Sequence, residues 1–127
     1  MPHTRTQVQI ETEISEAVIR FEKEYMGRGP IETRSYLIDN MILVRLNGVL
    51  TKAELQLAQA SDSVRGRDLI KEVRIQLLEK GRPLLEAVIN DITGSHVVSM
   101  HTDISTITGE RIILFTLDQP PQMAPRL

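Results

Sequence analysis

The chain has no cysteine and no tryptophan, and its 127 residues include only two phenylalanines and two tyrosines. Without cysteine there can be no disulfide framework, no thiolate metal site and no thiol nucleophile. So few rings leave little for stacking on bases. Fifteen basic and seventeen acidic side chains give a net charge of −2, so no nucleic-acid partner is expected. No apolar run approaches the roughly 20 residues that cross a bilayer, and the first residues carry no signal-peptide pattern. A cytoplasmic location without a membrane span is the expectation. The longest apolar stretches, Met41-Ile42-Leu43-Val44 and Ile112-Ile113-Leu114-Phe115, have the length of strands.

What is present suits one folded domain. The chain is 41% hydrophobic, close to the ~45–50% of soluble globular proteins. Its parts are expected to be a flexible start over 1–9, a single domain over 10–117 and a proline-rich flexible tail over 118–127. Ile10, Ile14, Ala17, Val18, Phe21 and Tyr25 recur every three or four residues, which predicts a helix starting near Thr4 or Thr6. Gly27-Arg28-Gly29-Pro30 should end it, glycine supplying a left-handed cap and proline refusing to continue. Thr33 to Leu46 reads as a hairpin turning at Asp39-Asn40. Thr51-Lys52-Ala53-Glu54 is a capping-box pattern for a short helix to about Ala60.

Ser61 to Gly66 reads as a break or bend. From Asp68 the stripe Leu69, Val73, Leu77, Leu84, Val88 and Ile92 predicts a long helix, widened by Ile70, Leu78, Leu85 and Ile89. Pro83 should bend it and Gly94 should cap it. Val97–Thr106 and Arg111–Leu117 form a second hairpin, whose last strand is apolar enough for cover on both faces. The order α-ββ-α-α-ββ predicts an α+β fold: a two-layer arrangement of a four-stranded antiparallel sheet, made of two hairpins, packed against helices. The strand order stays open. So does the origin of the repeated helix–glycine–hairpin unit, by duplication or by chance.

Chemistry is sparse. Gly27-Arg28-Gly29 reads as a structural turn or, with Arg28 beside flexible amides, as an anion cradle; the helix C-terminus preceding it disfavours anions. Arg65, Arg67, Lys71 and Arg74 form a basic run interleaved with Asp68 and Glu72. It is either a solvated helix face or a surface for an acidic partner, and Arg65 and Arg67 are its candidate anion contacts. His101 and Asp103 share one face of a strand, but with His96 and His3 they do not make a converging metal set. No Gly-x-Ser-x-Gly elbow and no opposed carboxylates occur, so neither catalytic residues nor a cofactor are expected.

In order and spacing, four stretches resemble the bacterial MpsC family, formerly a domain of unknown function. They are Gly27-Arg28-Gly29-Pro30, Asn47-Gly48-Val49-Leu50-Thr51-Lys52-Ala53-Glu54, Val64-Arg65 to Arg67, and Ile92-Thr93-Gly94-Ser95-His96-Val97-Val98 leading to Asp103. The match covers about residues 10–117. It departs at Ser95-His96, where the family more often has a basic residue after the glycine. The resemblance implies association with a membrane system for sodium translocation and ion or inorganic-carbon handling, and it brings no catalytic set. With no membrane segment, the chain would be a soluble or peripheral accessory component.

Two functions follow. One is a non-enzymatic accessory or interaction domain, a homodimer docking on a membrane complex or a regulatory protein. The alternative is a small-ligand or anion-binding regulatory domain using Gly27, Arg28, Gly29 and the Arg65/Arg67 bend.

Overall fold

The computed structural model describes residues 5–59 and 63–124, apart from the side chain of Ser63. Parts of the expected flexible start and tail, Ala60 at the expected end of the short helix, and Ser61 and Asp62 of the expected bend lie outside the described residues. Helix α1 (Gln7–Tyr25) opens on Thr6, whose hydroxyl accepts from the Gln9 amide at 3.2 Å while Gln9 Oε1 accepts from the Thr6 amide at 2.9 Å. That closes a capping box and satisfies two amides the helix cannot pair itself. Ile10, Ile14, Ala17, Val18 and Phe21 are buried along its inner stripe.

Strands β1 (Glu32–Ile38) and β2 (Met41–Asn47) pair across the two-residue turn, where Asp39 takes a φ of 55°. The second capping box forms at Thr51 and Glu54 and starts α2 (Lys52–Ala58). Helix α3 (Ser63–Thr93) follows, then β3 (Val97–Ile104) and β4 (Arg111–Leu117). The sheet is antiparallel throughout, in the order β1-β2-β4-β3. The two hairpins therefore meet through their second strands, symmetrically about the β2–β4 boundary.

The α+β class and the element order are as the sequence predicts; several boundaries are not. Helix α3 begins at Ser63, so Ser63 to Gly66 is helical rather than a bend, and it runs undivided through Pro83. Helix α2 stops at Ala58 and β3 at Ile104, each two residues short of expectation. Two glycines let the helices approach closely. A Cβ on Gly81 would lie 2.5 Å from the Phe21 ring on α1, and one on Gly66 would collide with the Leu57 carbonyl at the end of α2.

The larger corrections concern which faces are covered. On α3 the buried row is Ile70, Leu78, Leu85 and Ile89, whereas Leu69, Val73 and Leu84 of the expected stripe are about half exposed. Strand β4 alternates, with Arg111, Ile113, Phe115 and Leu117 buried and Ile112 exposed. All three helices lie on one side of the sheet, so β4 is not covered twice. No helix among the described residues is long and apolar enough to cross a membrane.

Candidate functional site

Four charged side chains from four elements meet where the helices close over the sheet. Glu22 on α1, Arg74 on α3 and Arg111 at the start of β4 are buried, and Glu54 on α2 is partly buried, its side chain 23% exposed. Each of the first three occupies a place in an apolar row. Ile14, Val18 and Glu22 succeed one another at i+4 on α1, as do Ile70, Arg74 and Leu78 on α3. Arg111 begins the inward alternation of β4. The backbone thus carries these charges into the core at positions where an aliphatic residue is the usual choice.

Arg74 is the hub. Its Nε donates to Glu54 Oε2 at 3.0 Å, and its Nη2 donates to Glu54 Oε1 at 2.7 Å and to the Val49 carbonyl at 2.8 Å. The first two form the bidentate fork that guanidinium and carboxylate share. Glu54 Oε1 also accepts from the Thr51 amide at 2.9 Å, so the residue that caps α2 also anchors α3. Arg111 Nε donates to Thr102 Oγ1 at 3.3 Å, and its Nη1 lies 3.5 Å from Glu22 Oε1. Four side-chain groups keep free capacity: both oxygens of Glu22 and the Nη1 groups of Arg74 and Arg111 have no hydrogen-bond partner among the described residues.

This geometry splits the two carboxylates. Burial pushes the Glu22 carboxyl above its ordinary value, only partly offset by Arg111 and then Arg74. At Glu54 burial also pushes upward, but it is outweighed by the Arg74 fork and the Thr51 amide, and the carboxyl sits below its ordinary value. Burial lowers the Arg111 guanidinium against the pull of Glu22.

Beside the cluster, a cleft of about 490 Å³ opens between the first half of α3 and the β3–β4 connection. Arg67 and Lys71 line it together with Asp103, Thr106 and Glu110. Lys71 Nζ lies 3.5 Å from Asp103, and Arg45 donates to Glu110 at 2.7 Å.

The structure disperses the anion contacts read from the sequence. Gly27 takes a φ of 79° as the turn after α1. Arg28 Nη1 donates to the Leu50 carbonyl at 2.7 Å, which ties that turn to the segment before α2. Gly29 faces the Lys23 side chain. Arg65 is exposed on the first turns of α3. Only Arg67 of the five lines the cleft. His101 and Asp103 do share a face of β3, and the described residues hold no group of three or more histidines and carboxylates placed to bind a metal.

Among the described residues, the other side of the sheet carries no helix. Register places its outward residues in rows: Arg34, Arg45, Ile112 and Asp103 in one; Tyr36, Leu43, Leu114 and His101 in the next; Ile38, Met41, Thr116 and Ser99 in the third. Tyr36, Ile38 and Ile112 are exposed, and Leu43 and Leu114 are half-buried.

A two-layer α+β domain with one open sheet face and a buried charge cluster is thus the class of protein defined. The chain belongs to the MpsC family, described as a Na+-translocating membrane potential-generating system, which it matches over residues 6–119. It is also 41% identical over 108 residues to YbcI of Bacillus subtilis (strain 168), an uncharacterised protein, with 85% of each chain covered. No solved structure matches.

Proposed function

We propose that this chain is a non-enzymatic accessory domain of a bacterial membrane sodium-translocating system, working as a homodimer paired through the open face of its sheet. The family description supports the association with such a system. The arrangement of the open face carries the pairing.

That face is complementary to itself. A second copy turned about an axis parallel to the strands and midway between β2 and β4 would lie with its rows over the same rows. Arg34 on β1 would then face Asp103 on the second copy's β3, and Leu43 would face Leu114. In a single copy Arg34 and Arg45 stand directly opposite, each beside a carboxylate of its own, Glu32 and Glu110, at 2.7 Å. Asp103, with Lys71 Nζ at 3.5 Å, keeps a side chain that is 81% exposed and so can still meet a second copy. An apolar centre with charges at its rim is the usual anatomy of a protein interface. Isologous pairing of one patch on itself is the commonest way to form an oligomer.

Sedimentation equilibrium at micromolar concentration is expected to give twice the 14.4 kDa chain mass for the native protein. Leu114→Glu, on the face but outside the core, is expected to give the monomer mass with an unchanged circular dichroism spectrum. A native monomer would overturn the proposal. So would a dimer that survives Leu114→Glu but is broken by Val73→Glu, which would place the interface on α3.

A further inference from the structure

One end of the sheet gathers the most exposed apolar side chains of the described residues. Strand β1 starts there, β2 finishes there and the β3–β4 connection turns there, because Glu32 pairs with Asn47 and Leu46 with Arg111. Helix α3 begins at the same end, where Arg67 borders the cleft with Ile104 and Ile107. Ile107 at the tip of the β3–β4 connection is 87% exposed, Ile31 just before β1 77%, and Val64 on the first turn of α3 62%. Every other large apolar side chain described is less exposed than these three. The turn that carries Ile107 is firmly built. Ser105 Oγ accepts from the Ile107 and Thr108 amides at 3.3 and 3.1 Å, and the Ser105 carbonyl accepts from the Gly109 amide at 2.8 Å. Scattered apolar residues are ordinary on a surface. The three most exposed, gathered at one end and held outward, mark a place of contact.

We infer that this end docks on an anionic lipid bilayer, with Ile31, Val64 and Ile107 entering the interface and Arg28, Lys52 and Arg65 meeting lipid phosphates. The cations are exposed and lie beside the apolar tips in sequence or space. Arg28 precedes Ile31 and is tied by its Nη1 to the Leu50 carbonyl, Lys52 opens α2 two residues further on, and Arg65 adjoins Val64. None of the three forms an ion pair among the described residues. The acids of this end are Glu32 and Glu110, held at 2.7 Å by Arg34 and Arg45, and Asp68, one turn further along α3. A protein partner would be met by one contiguous apolar centre. Here the apolar side chains stand on three separate projections, which a fluid interface accommodates one by one. Apolar insertion combined with basic residues is what stable anchoring to an anionic surface takes. The docking stands on a single copy. A turn about an axis parallel to the strands preserves strand direction, so the dimer proposed above would present both copies' ends to the same surface; only this doubling rests on that reading.

The test sediments the whole chain with protein-free vesicles, either of phosphatidylcholine alone or of equal parts phosphatidylcholine and phosphatidylglycerol. Binding is expected to the mixed vesicles, to weaken as salt is raised, and to be slight with phosphatidylcholine alone. Lys52→Gln and Arg65→Gln, both at exposed positions, are each expected to weaken it roughly fivefold. Ile107→Ser is expected to weaken it roughly tenfold with an unchanged melting temperature, because the side chain it shortens packs on nothing. No binding to the mixed vesicles, or unchanged binding in Ile107→Ser and in both charge variants, would overturn the inference. So would binding only to native membranes that is abolished by protease treatment of those membranes, which would assign this end to a protein partner. A native chain that sediments as a monomer and still binds the mixed vesicles would contradict the pairing and sustain the docking, so the two fail separately.

Discussion

Arg74→Met is expected to destabilise the protein by about 3–5 kcal/mol, the usual cost of removing one partner from a buried ion pair. Methionine can fill the volume of the arginine stem but not replace its donors. The Val49 carbonyl would lose its 2.8 Å donor, and Glu54 would lose both arms of the fork. Glu22 would lose one of its two nearby cations. Because Arg74 links α3 both to α2 and to the segment after β2, the loss spreads over the whole helical layer. For a domain of this size, a midpoint lower by roughly 10–20 °C is expected in a calorimetric scan. Pairing the change with Glu54→Leu should recover part of the loss, since a fully apolar replacement leaves no carboxylate stranded. A loss below about 1 kcal/mol in Arg74→Met would show that the cluster does not hold the helices together.

The two carboxylates of the cluster are expected to respond to pH in opposite directions. The folded protein holds the Glu22 proton more tightly than the unfolded chain does. The stability it contributes is therefore fully present below the ordinary value of 4.5 and is lost as pH rises through the folded value. Glu54 releases its proton more readily when folded, so its contribution is present above 4.5 and is lost as pH falls through the folded value. Urea titrations of Glu22→Gln and Glu54→Gln at about pH 4 and about pH 7.5 separate the two. Relative to the native protein, Glu22→Gln should gain stability between the lower and the higher pH, and Glu54→Gln should lose it. Changes of the same sign in both variants would contradict the cluster's electrostatics.

These four residues also show where the sequence stops being legible. The helices and hairpins follow from local rules: the capping residues Thr6 and Thr51, the left-handed glycines Gly27 and Gly94, and the turn at Asp39-Asn40. The cluster does not, because Glu22 sits in the run Glu22-Lys23-Glu24 and Arg74 reads as one more member of a basic helix face. A signal was present in the spacing. Arg74 lies four residues from both Ile70 and Leu78, and Glu22 four from Val18, so each puts a charge into a buried row whose neighbouring members are apolar.

The stripe on α3 misled in the complementary way. Leu69, Val73 and Leu84 have helical spacing, but the adjacent row of Ile70, Leu78, Leu85 and Ile89 wins the core. Periodicity finds an apolar face; which of two adjacent rows points inward is set by the packing against α1 and the sheet. The continuous run Ile112-Ile113-Leu114-Phe115 likewise gave no hint that one face of β4 stays open. Only the strand order β1-β2-β4-β3, with all helices on one side, makes that face visible.

The most direct test of pairing through that face is a charge exchange across it. Arg34→Glu and Asp103→Arg, made separately, each place two like-charged contacts in the proposed dimer and should weaken it roughly tenfold or more. Mixing the two variants restores both contacts, because the Arg34→Glu chain then meets the Asp103→Arg chain with opposite charges at each end. Sedimentation of the mixture at concentrations where either variant alone is monomeric should show a dimer. A mixture that remains monomeric, or single variants that dimerise as tightly as the native chain, would contradict it.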